Sequence, residues 1–244
     1  MGLISVKRRR AAVLGCLLLF LSICNAVLSE SAIDIIPEPT LSPEAAPYDA
    51  DHPENLEADQ LYALSALLIT ADKGEIIFEK DPYTPRYPAS TTKILTVLLG
   101  IMMVEDLNQT VTVTETAMDI PSDSSTMGLK TGEEIRFIDV LYGTMLMSGN
   151  DGANVIAETV SGSIPAFVEL MNQTAEMIGC VNTHFVNAHG YHDDNHYTTA
   201  YDLALITREA MKNDTFRQIS STVTYTIPKT NLQRSRTITT KSEY

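Results

Sequence analysis

Ser90 and Lys93 are the residues whose types and spacing most directly suggest chemistry. Pro88 favours extended geometry just before it, and the apolar run Ile94–Leu99 has helical length, so the chain is predicted to pass from loop to helix near Ala89. Residues three apart lie on one face of a helix, which brings the amine within reach of the hydroxyl. A serine becomes a nucleophile when a base takes its proton, and a lysine can act as that base when burial or nearby positive charge lowers its pKa.

Taken alone, this pair is better explained as a serine at a helix N-terminus followed by a solvated lysine, because two common residues often occur at such a spacing. A second motif changes that interpretation. Ser148-Gly149-Asn150 follows the apolar run Val140–Leu146, so a hydroxyl and a carboxamide are predicted at a loop tip after a buried helix. Ser-x-x-Lys and Ser-x-Asn together are typical of enzymes that form an acyl-serine intermediate. The two motifs therefore indicate a candidate active site.

These motifs and the segment 187–204 resemble the D-alanyl-D-alanine carboxypeptidases, which are low-molecular-mass penicillin-binding proteins. The likeness extends from about Ala58 to the end of the chain, and the motifs stand in the order expected of the family. The resemblance implies an α+β fold in which an antiparallel sheet is packed with helices and a mostly helical subdomain is added. It implies a peptidoglycan stem peptide ending in D-Ala-D-Ala as substrate, β-lactams as inhibitors, and neither a cofactor nor a metal.

The resemblance also implies a role for each motif residue. Ser90 would be acylated and Lys93 would be its base, while Ser148 and Asn150 would relay protons and hold the substrate amide. Backbone N–H groups would stabilise the oxyanion, one from Ser90 itself and one from a strand that carries a third motif, Lys-Thr-Gly.

The third motif is not found where the resemblance places it. Lys130-Thr131-Gly132 precedes Ser148, and it is predicted to be a polar turn before a helix with Glu133 and Glu134 in its first turn. The chain ends at Tyr244, so we expect the C-terminal strands to be missing. Loss of one oxyanion donor typically costs ~3 kcal/mol, and we therefore expect the chain as written to be weakly active or inactive.

Composition restricts the classes of function. The 244 residues are 44% hydrophobic and 20% charged, which is typical of a globular chain of one or two domains. The net charge is −14, and such a surface repels nucleic-acid phosphate, so nucleic-acid binding is excluded.

The sequence divides into three segments. Residues 1–26 combine a basic start with a short apolar run and are predicted to be a signal peptide, so the protein is expected to be exported. Residues 27–57 are rich in proline and acidic residues and are predicted to be a disordered linker. Residues 58–244 form the predicted catalytic domain. Membrane association would require an uncleaved leader or a missing C-terminal anchor.

Hydrophobic patterns give a coarse fold. Strands are predicted at both ends of the domain. The first two form a hairpin with a tight turn at Gly74, and this hairpin is predicted to pack against the helix that begins near Ser90. The other helices and strands are predicted to follow this hairpin in the chain. The predicted helices are 137–147, 152–161, 165–178 and 200–212, a helix is predicted to begin within 114–118, and the later strands are 111–114 and 221–227.

Two further features invite a chemical interpretation. His189, His192 and His196 lie close to Asp193 and Asp194, but their spacing matches no helical metal motif, and a structural loop is favoured. Cys180 is expected to be a buried small apolar residue.

Two other functions stay open. A class A β-lactamase shares the first two motifs but requires a loop after Ser148 that carries a glutamate, and residues 182–185 contain none, although Glu169 and Glu176 lie on a predicted helix. A peptidoglycan-binding relic would keep the shape of the cleft without its chemistry.

Overall fold

The computed structural model describes residues 61–240. The predicted signal peptide and the whole of the predicted linker fall outside this range. In chain order the described elements are β1 (Ala66–Ile69), β2 (Ile76–Lys80), a 3-10 turn (Ala89–Thr92), α1 (Lys93–Met103), β3 (Thr110–Thr112), a second 3-10 turn (Thr116–Met118), β4 (Glu134–Arg136), α2 (Phe137–Leu146), α3 (Asn150–Ser161), α4 (Ile164–Ile178), α5 (Ala200–Ala210), α6 (Asp214–Ser220), β5 (Thr224–Ile227) and β6 (Arg236–Thr239).

Helix α1, which follows Ser90, lies at the centre of the helical packing. Eight of its residues are buried, and it contacts α2, α3, α4, α5 and α6. A helix that is apolar on nearly all faces is stable only when other elements surround it. The close approach of α1 to its neighbours depends on Gly100, where a Cβ would lie 2.9 Å from a Leu141 methyl and 3.0 Å from one of Ile156. The core around α1 therefore holds the start of the helix, and Ser90 with it, in a defined place.

The strands form three separate two-stranded antiparallel ribbons in the described residues, namely β1 with β2, β3 with β4, and β5 with β6. The predicted hairpin is confirmed, and Gly74 has a positive φ of 74° in its turn. Its packing differs from the prediction, because β1 packs mainly against α5, which in turn packs against α1. The α+β class predicted from the sequence is confirmed.

The predicted placement of two acidic residues is wrong. Glu133 and Glu134 precede α2 and do not lie in its first turn, since α2 begins at Phe137 and Glu134 belongs to β4. Residue Glu133 is fully buried and accepts hydrogen bonds from Thr230 and Gln233, with Arg236 paired to it at 3.1 Å. Glu133 is therefore explained by contacts with the chain about a hundred residues later, not by a helix N-terminus.

Three elements were not predicted from the sequence, namely β4, α6 and β6. Each has three to seven residues, too few for a periodic pattern to stand out. The four helices predicted between 137 and 212 are confirmed to within two residues at each end, and the helix start predicted within 114–118 is a 3-10 turn. Within residues 61–240 the structure has no helix of the length and apolar character that crossing a bilayer requires.

Candidate active site

Ser90 and Lys93 lie together at the start of α1, as their spacing predicted. The Nζ atom of Lys93 donates a hydrogen bond to Ser90 Oγ at 3.1 Å. Ser90 is exposed in the 3-10 turn, whereas Lys93 is only 2% exposed as the first residue of α1. Ala89 enters the turn with a positive φ of 49°, which is unusual for a residue with a side chain. Strained backbone of this kind is common where a structure holds a functional group in place.

Polar side chains of α1 attach it to a loop that we name the histidine loop, residues 182–199. Thr96 Oγ1 donates to the carbonyl of Ala188 at 2.6 Å, and Lys93 Nζ donates to the carbonyl of His189 at 2.7 Å. Both helix residues are buried. Because buried backbone carbonyls need hydrogen-bond donors, these two contacts hold the loop against the helix. The buried lysine is thereby placed between the loop and Ser90.

The loop approaches the backbone beside Ser90 so closely that a glycine is required at position 190. Gly190 has a positive φ of 84°, and a Cβ there would lie 1.7 Å from the carbonyl oxygen of Ala89. No side chain could be accommodated without moving the backbone beside Ser90. Gly190 therefore allows the histidine loop to pack directly on the 3-10 turn.

His189 and His196 are buried and neutral. The N–H of Val186 donates to Nδ1 of His196, so the ring proton is on Nε2, which lies 2.8 Å from Thr92 Oγ1. Burial lowers the pKa of each ring to about 4, with the charge of Lys93 adding to the effect at His189. At neutral pH both imidazoles therefore serve as hydrogen-bonding groups of the loop and carry no charge.

Asn150 lies on the opposite side of the pocket from the histidine loop, at the start of α3. It is buried, lines the same pocket as Ser90, and donates its N–H to the carbonyl of Ser125 at 2.8 Å. Ser148 is half-buried with a positive φ of 56° two residues earlier, and it is not among the residues that line the pocket. Ser90 thus contacts Lys93 and shares its pocket with Asn150, whereas Ser148 is not a lining residue.

The wall of the pocket opposite the histidine loop includes residues 121–129, which we name the serine loop. The carboxylate of one residue, Asp151, binds this loop. Asp151 is fully buried, and its two oxygens accept the N–H groups of Met127, Gly128 and Leu129 at 3.0 to 3.1 Å. The same carboxylate accepts the N–H of Gly152 at 2.9 Å. Four backbone donors therefore depend on one side chain, which ties the serine loop to the N-terminus of α3.

The pocket between the two loops has a volume of about 210 Å³. Tyr191 closes one side, where its hydroxyl donates to Asp123 at 3.0 Å and so joins the two loops across the opening. The lining residues are Tyr87, Ala89, Ser90, Asp123, Ser124, Ser125, Asn150, His189, Gly190, Tyr191, His192 and His196. The pocket is open to solvent above Ser90, so a peptide can reach the hydroxyl.

Sequence reasoning did not identify several residues that build this pocket. Thr92, Thr96, Asp151 and Asp123 have no role predicted from the sequence, although a polar residue inside an apolar helix is a signal that could have indicated Thr96. The histidine-rich segment is a structural loop, as predicted, with His189 and His196 buried and His192 exposed. Within residues 61–240 no group of three metal-ligating side chains is close enough to hold a metal ion.

The remaining sequence features are placed clearly. Lys130 and Thr131 are exposed, and Gly132 has a positive φ of 80° in a turn before β4, as expected of a Lys-Thr-Gly without a catalytic role. Cys180 is buried, as predicted, and burial raises the pKa of its thiol to about 12, so it is not a nucleophile at neutral pH.

Known proteins share both the sequence and this fold. The chain is 36% identical to DacF of Bacillus subtilis over 164 residues, which are 66% of this chain and 42% of that protein. It is 31% identical to DacA of Escherichia coli over 204 residues, which are 80% of this chain and 47% of that protein. Both relatives are named D-alanyl-D-alanine carboxypeptidases. The chain spans about half the length of the curated relatives it matches, from 39% to 56%.

Two solved structures share this fold. Penicillin binding protein 5 of Haemophilus influenzae superposes with a TM-score of 0.64 at 32% identity, covering 68% of this chain and 50% of that one. The D-alanyl-D-alanine carboxypeptidase of Mycobacterium tuberculosis superposes with a TM-score of 0.68 at 29% identity, covering 74% and 67%. The family model described as D-alanyl-D-alanine carboxypeptidase matches residues 52–242. This match covers well over half of the sequence, and the chain therefore belongs to the D-alanyl-D-alanine carboxypeptidase family.

Proposed function

We propose that this chain carries the active site of a serine-type D-Ala-D-Ala carboxypeptidase, which removes the terminal D-alanine from peptidoglycan stem peptides through an acyl-enzyme on Ser90. The observation that carries the proposal is the contact of 3.1 Å between Ser90 Oγ, at an open pocket, and the buried amine of Lys93. Such a pair fits nucleophilic catalysis, because the nucleophile is accessible while its base is held away from solvent.

In the acylation step, Ser90 Oγ attacks the carbonyl carbon of the penultimate D-alanine and passes its proton to Lys93. The tetrahedral intermediate collapses as the amide C–N bond breaks, and D-alanine leaves with a proton on its nitrogen. The N–H of Ser90 is one donor for the oxyanion. Water then hydrolyses the ester and restores the free hydroxyl. A β-lactam would acylate Ser90 in the same way.

Ser148 and Asn150 would serve the substrate side of the reaction. Asn150 lines the pocket, so its carboxamide is available to a peptide amide. Ser148 is proposed to pass the proton toward the departing D-alanine. The proposed reaction needs no cofactor. Its substrate, peptidoglycan, lies outside the cytoplasm, which agrees with an exported protein. Membrane attachment would require an uncleaved leader or a C-terminal anchor.

The two alternatives have different physical requirements. A class A β-lactamase requires an acid that activates the deacylating water, and the described residues lining the Ser90 pocket include no glutamate. Glu169 and Glu176 lie on α4 and are not among them. A peptidoglycan-binding relic would need the pocket but not the contact between Ser90 and Lys93.

Labelling with a fluorescent penicillin, together with release of D-alanine from a stem pentapeptide, tests the proposal. We expect labelling that disappears in Ser90→Ala and falls steeply in Lys93→Met. Lys130→Met is the matched control, because Lys130 is an exposed lysine of the coincidental Lys-Thr-Gly. The labelling rate also tests the prediction from the sequence that this chain is weakly active or inactive.

Three results would count against the proposed activity of this chain. A folded chain that is neither labelled nor releases D-alanine would be inactive, as expected from the missing third motif, and the proposed chemistry would not belong to it. Rapid nitrocefin turnover would favour the β-lactamase. Muropeptide binding that is unaffected by Ser90→Ala, without acylation, would favour the relic.

A further inference from the structure

Asn187 organises the segment of the histidine loop that contacts the catalytic lysine. Its Oδ1 accepts the N–H of His189 at 3.2 Å and the N–H of Gly190 at 2.7 Å, and its Nδ2 donates to the carbonyl of Tyr191 at 2.9 Å. Asparagine is suited to this arrangement because its short side chain carries both an acceptor and a donor that reach nearby backbone groups. One side chain thus fixes three consecutive residues.

The contact with Gly190 is the important one. The N–H of Gly190 and the carbonyl of His189 belong to the same peptide group, and the two point in opposite directions because the peptide is planar and trans. Asn187 binds the N–H at 2.7 Å, and Lys93 Nζ binds the carbonyl at 2.7 Å. The asparagine and the lysine therefore hold opposite sides of one peptide plane. Any rotation of that plane would move the acceptor that faces the amine.

Other contacts of the loop do not control this plane. Thr96 binds the carbonyl of Ala188, and Thr92 contacts the ring of His196, so both hold the loop against α1 without contacting the peptide that faces Lys93. Gly190 allows the peptide between His189 and Gly190 to lie against Ala89. Because glycine has no side chain, it does not itself fix the rotation of that peptide. The N–H of Tyr191 also donates to Nδ1 of His189 at 3.1 Å, but this bond joins a ring to the next peptide. Asn187 is therefore the loop side chain that binds the N–H of the plane itself and so orients the His189 carbonyl.

We propose that Asn187 is a positioning residue for the general base: it holds the peptide between His189 and Gly190 so that the carbonyl keeps the amine of Lys93 directed at Ser90 Oγ. The inference rests on the proposed function in assigning Lys93 as the base. Displacement of a reacting group by about 1 Å can cost on the order of a hundredfold in rate. The effect of Asn187 should therefore appear in acylation more than in folding.

The first test compares Asn187→Ala, Asn187→Ser and wild type in the rate of penicillin acylation across pH, with the thermal midpoint measured alongside. We expect at least a tenfold loss for alanine and a smaller loss for serine, whose hydroxyl can still accept one N–H. The acid limb of the alanine profile should move to lower pH, because a carbonyl acceptor stabilises the ammonium form. Asn195→Ala is the control, since Asn195 is an exposed asparagine of the same loop.

The second test needs no activity. A small amine-acylating reagent is applied to each folded protein, and modification of Lys93 is followed by peptide mass spectrometry relative to exposed Lys130. We expect Lys93 to react at least fivefold faster in Asn187→Ala than in wild type or Asn195→Ala.

The outcomes separate this inference from the proposed function. If wild type is acylated and Asn187→Ala matches it at every pH, or if Lys93 reactivity is unchanged, the positioning role is wrong while the carboxypeptidase assignment stands. If wild type is not acylated at all, the proposed function fails, and the reactivity of Lys93 still decides whether Asn187 holds the amine. A lower thermal midpoint with an unmoved pH profile would show a structural role alone.

Discussion

The two walls of the Ser90 pocket are held in different ways. The histidine loop is attached to α1 at several points, because Thr92, Lys93 and Thr96 each bind a different group of the loop. The serine loop is attached to α3 largely through the carboxylate of Asp151, which accepts three successive N–H groups of that loop. One wall spreads its hydrogen bonds over many side chains, whereas the other concentrates them on one.

The difference predicts how each wall fails. Loss of one side chain should weaken the histidine loop only in part, since its other attachments remain. The serine loop should be weakened strongly when Asp151 is lost, since three of its N–H groups bind that carboxylate and one further bond to α3, from the N–H of Asn150 to the carbonyl of Ser125, is described beside them. The histidine loop should in turn be sensitive to acid, because its buried imidazoles must stay neutral. Four predictions test this comparison.

The largest effect is expected for Asp151→Ala. Removing the carboxylate leaves buried N–H groups of the serine loop without an acceptor, and we expect the free energy of unfolding to fall by about 4 kcal/mol. Asp151→Asn keeps one acceptor oxygen and should lie in between. Urea unfolding measures both, with exposed Asp119→Ala as the control. A loss below about 1 kcal/mol for Asp151→Ala would mean that the loop has other support.

Acid should weaken the histidine loop next. His189 and His196 have a folded pKa of about 4 against an ordinary value of 6.5, so the unfolded chain binds more protons between these values and stability falls as pH falls through this window. Each should cost roughly 2 kcal/mol at pH 5 and almost nothing above pH 7.

Urea unfolding between pH 7 and pH 5 measures this slope. His196→Gln should reduce the slope by about half, because His189 still titrates, whereas His192→Gln, at an exposed position of the same loop, should leave it unchanged. A slope that is unchanged by the loss of His196, or that falls with the loss of His192, would show that the acid sensitivity arises elsewhere.

A smaller effect is expected for Thr96→Val. The substitution keeps the shape of the side chain and removes the donor to the carbonyl of Ala188, which should cost about 1 to 2 kcal/mol. Thr174→Val is a matched control, because Thr174 is equally buried but donates to Leu170 within its own helix. Equal losses in the two variants would argue against a specific contribution of Thr96 to the loop.

The smallest effect is expected for Tyr191→Phe, which removes the hydrogen bond to Asp123 between the two walls. The bond is exposed to solvent, so we expect no measurable change in the thermal midpoint and a change of about threefold or less in the rate of penicillin acylation. A change of tenfold or more would indicate that the two walls depend on each other.

Contacts between residues close in the chain could be predicted from the sequence, whereas contacts between distant segments could not. The turn at Gly74, the long helices and the reach from Lys93 to Ser90 follow from residues close in the chain, and the structure has them. Glu133 was misassigned because its acceptors are used by Thr230, Gln233 and Arg236, far along the chain. Short-range patterns contain no record of such partners.

By itself, the sequence determined the family, the helical framework and the pairing of Ser90 with Lys93, because helical periodicity and motif spacing act over a few residues. Tertiary structure alone decided that the amine is buried against a carbonyl 96 residues away, that Gly190 packs on Ala89, and that one carboxylate holds the opposite wall. Those contacts join segments that only the packing of α1 against its neighbours brings together, so they depend on distances that chain order does not specify.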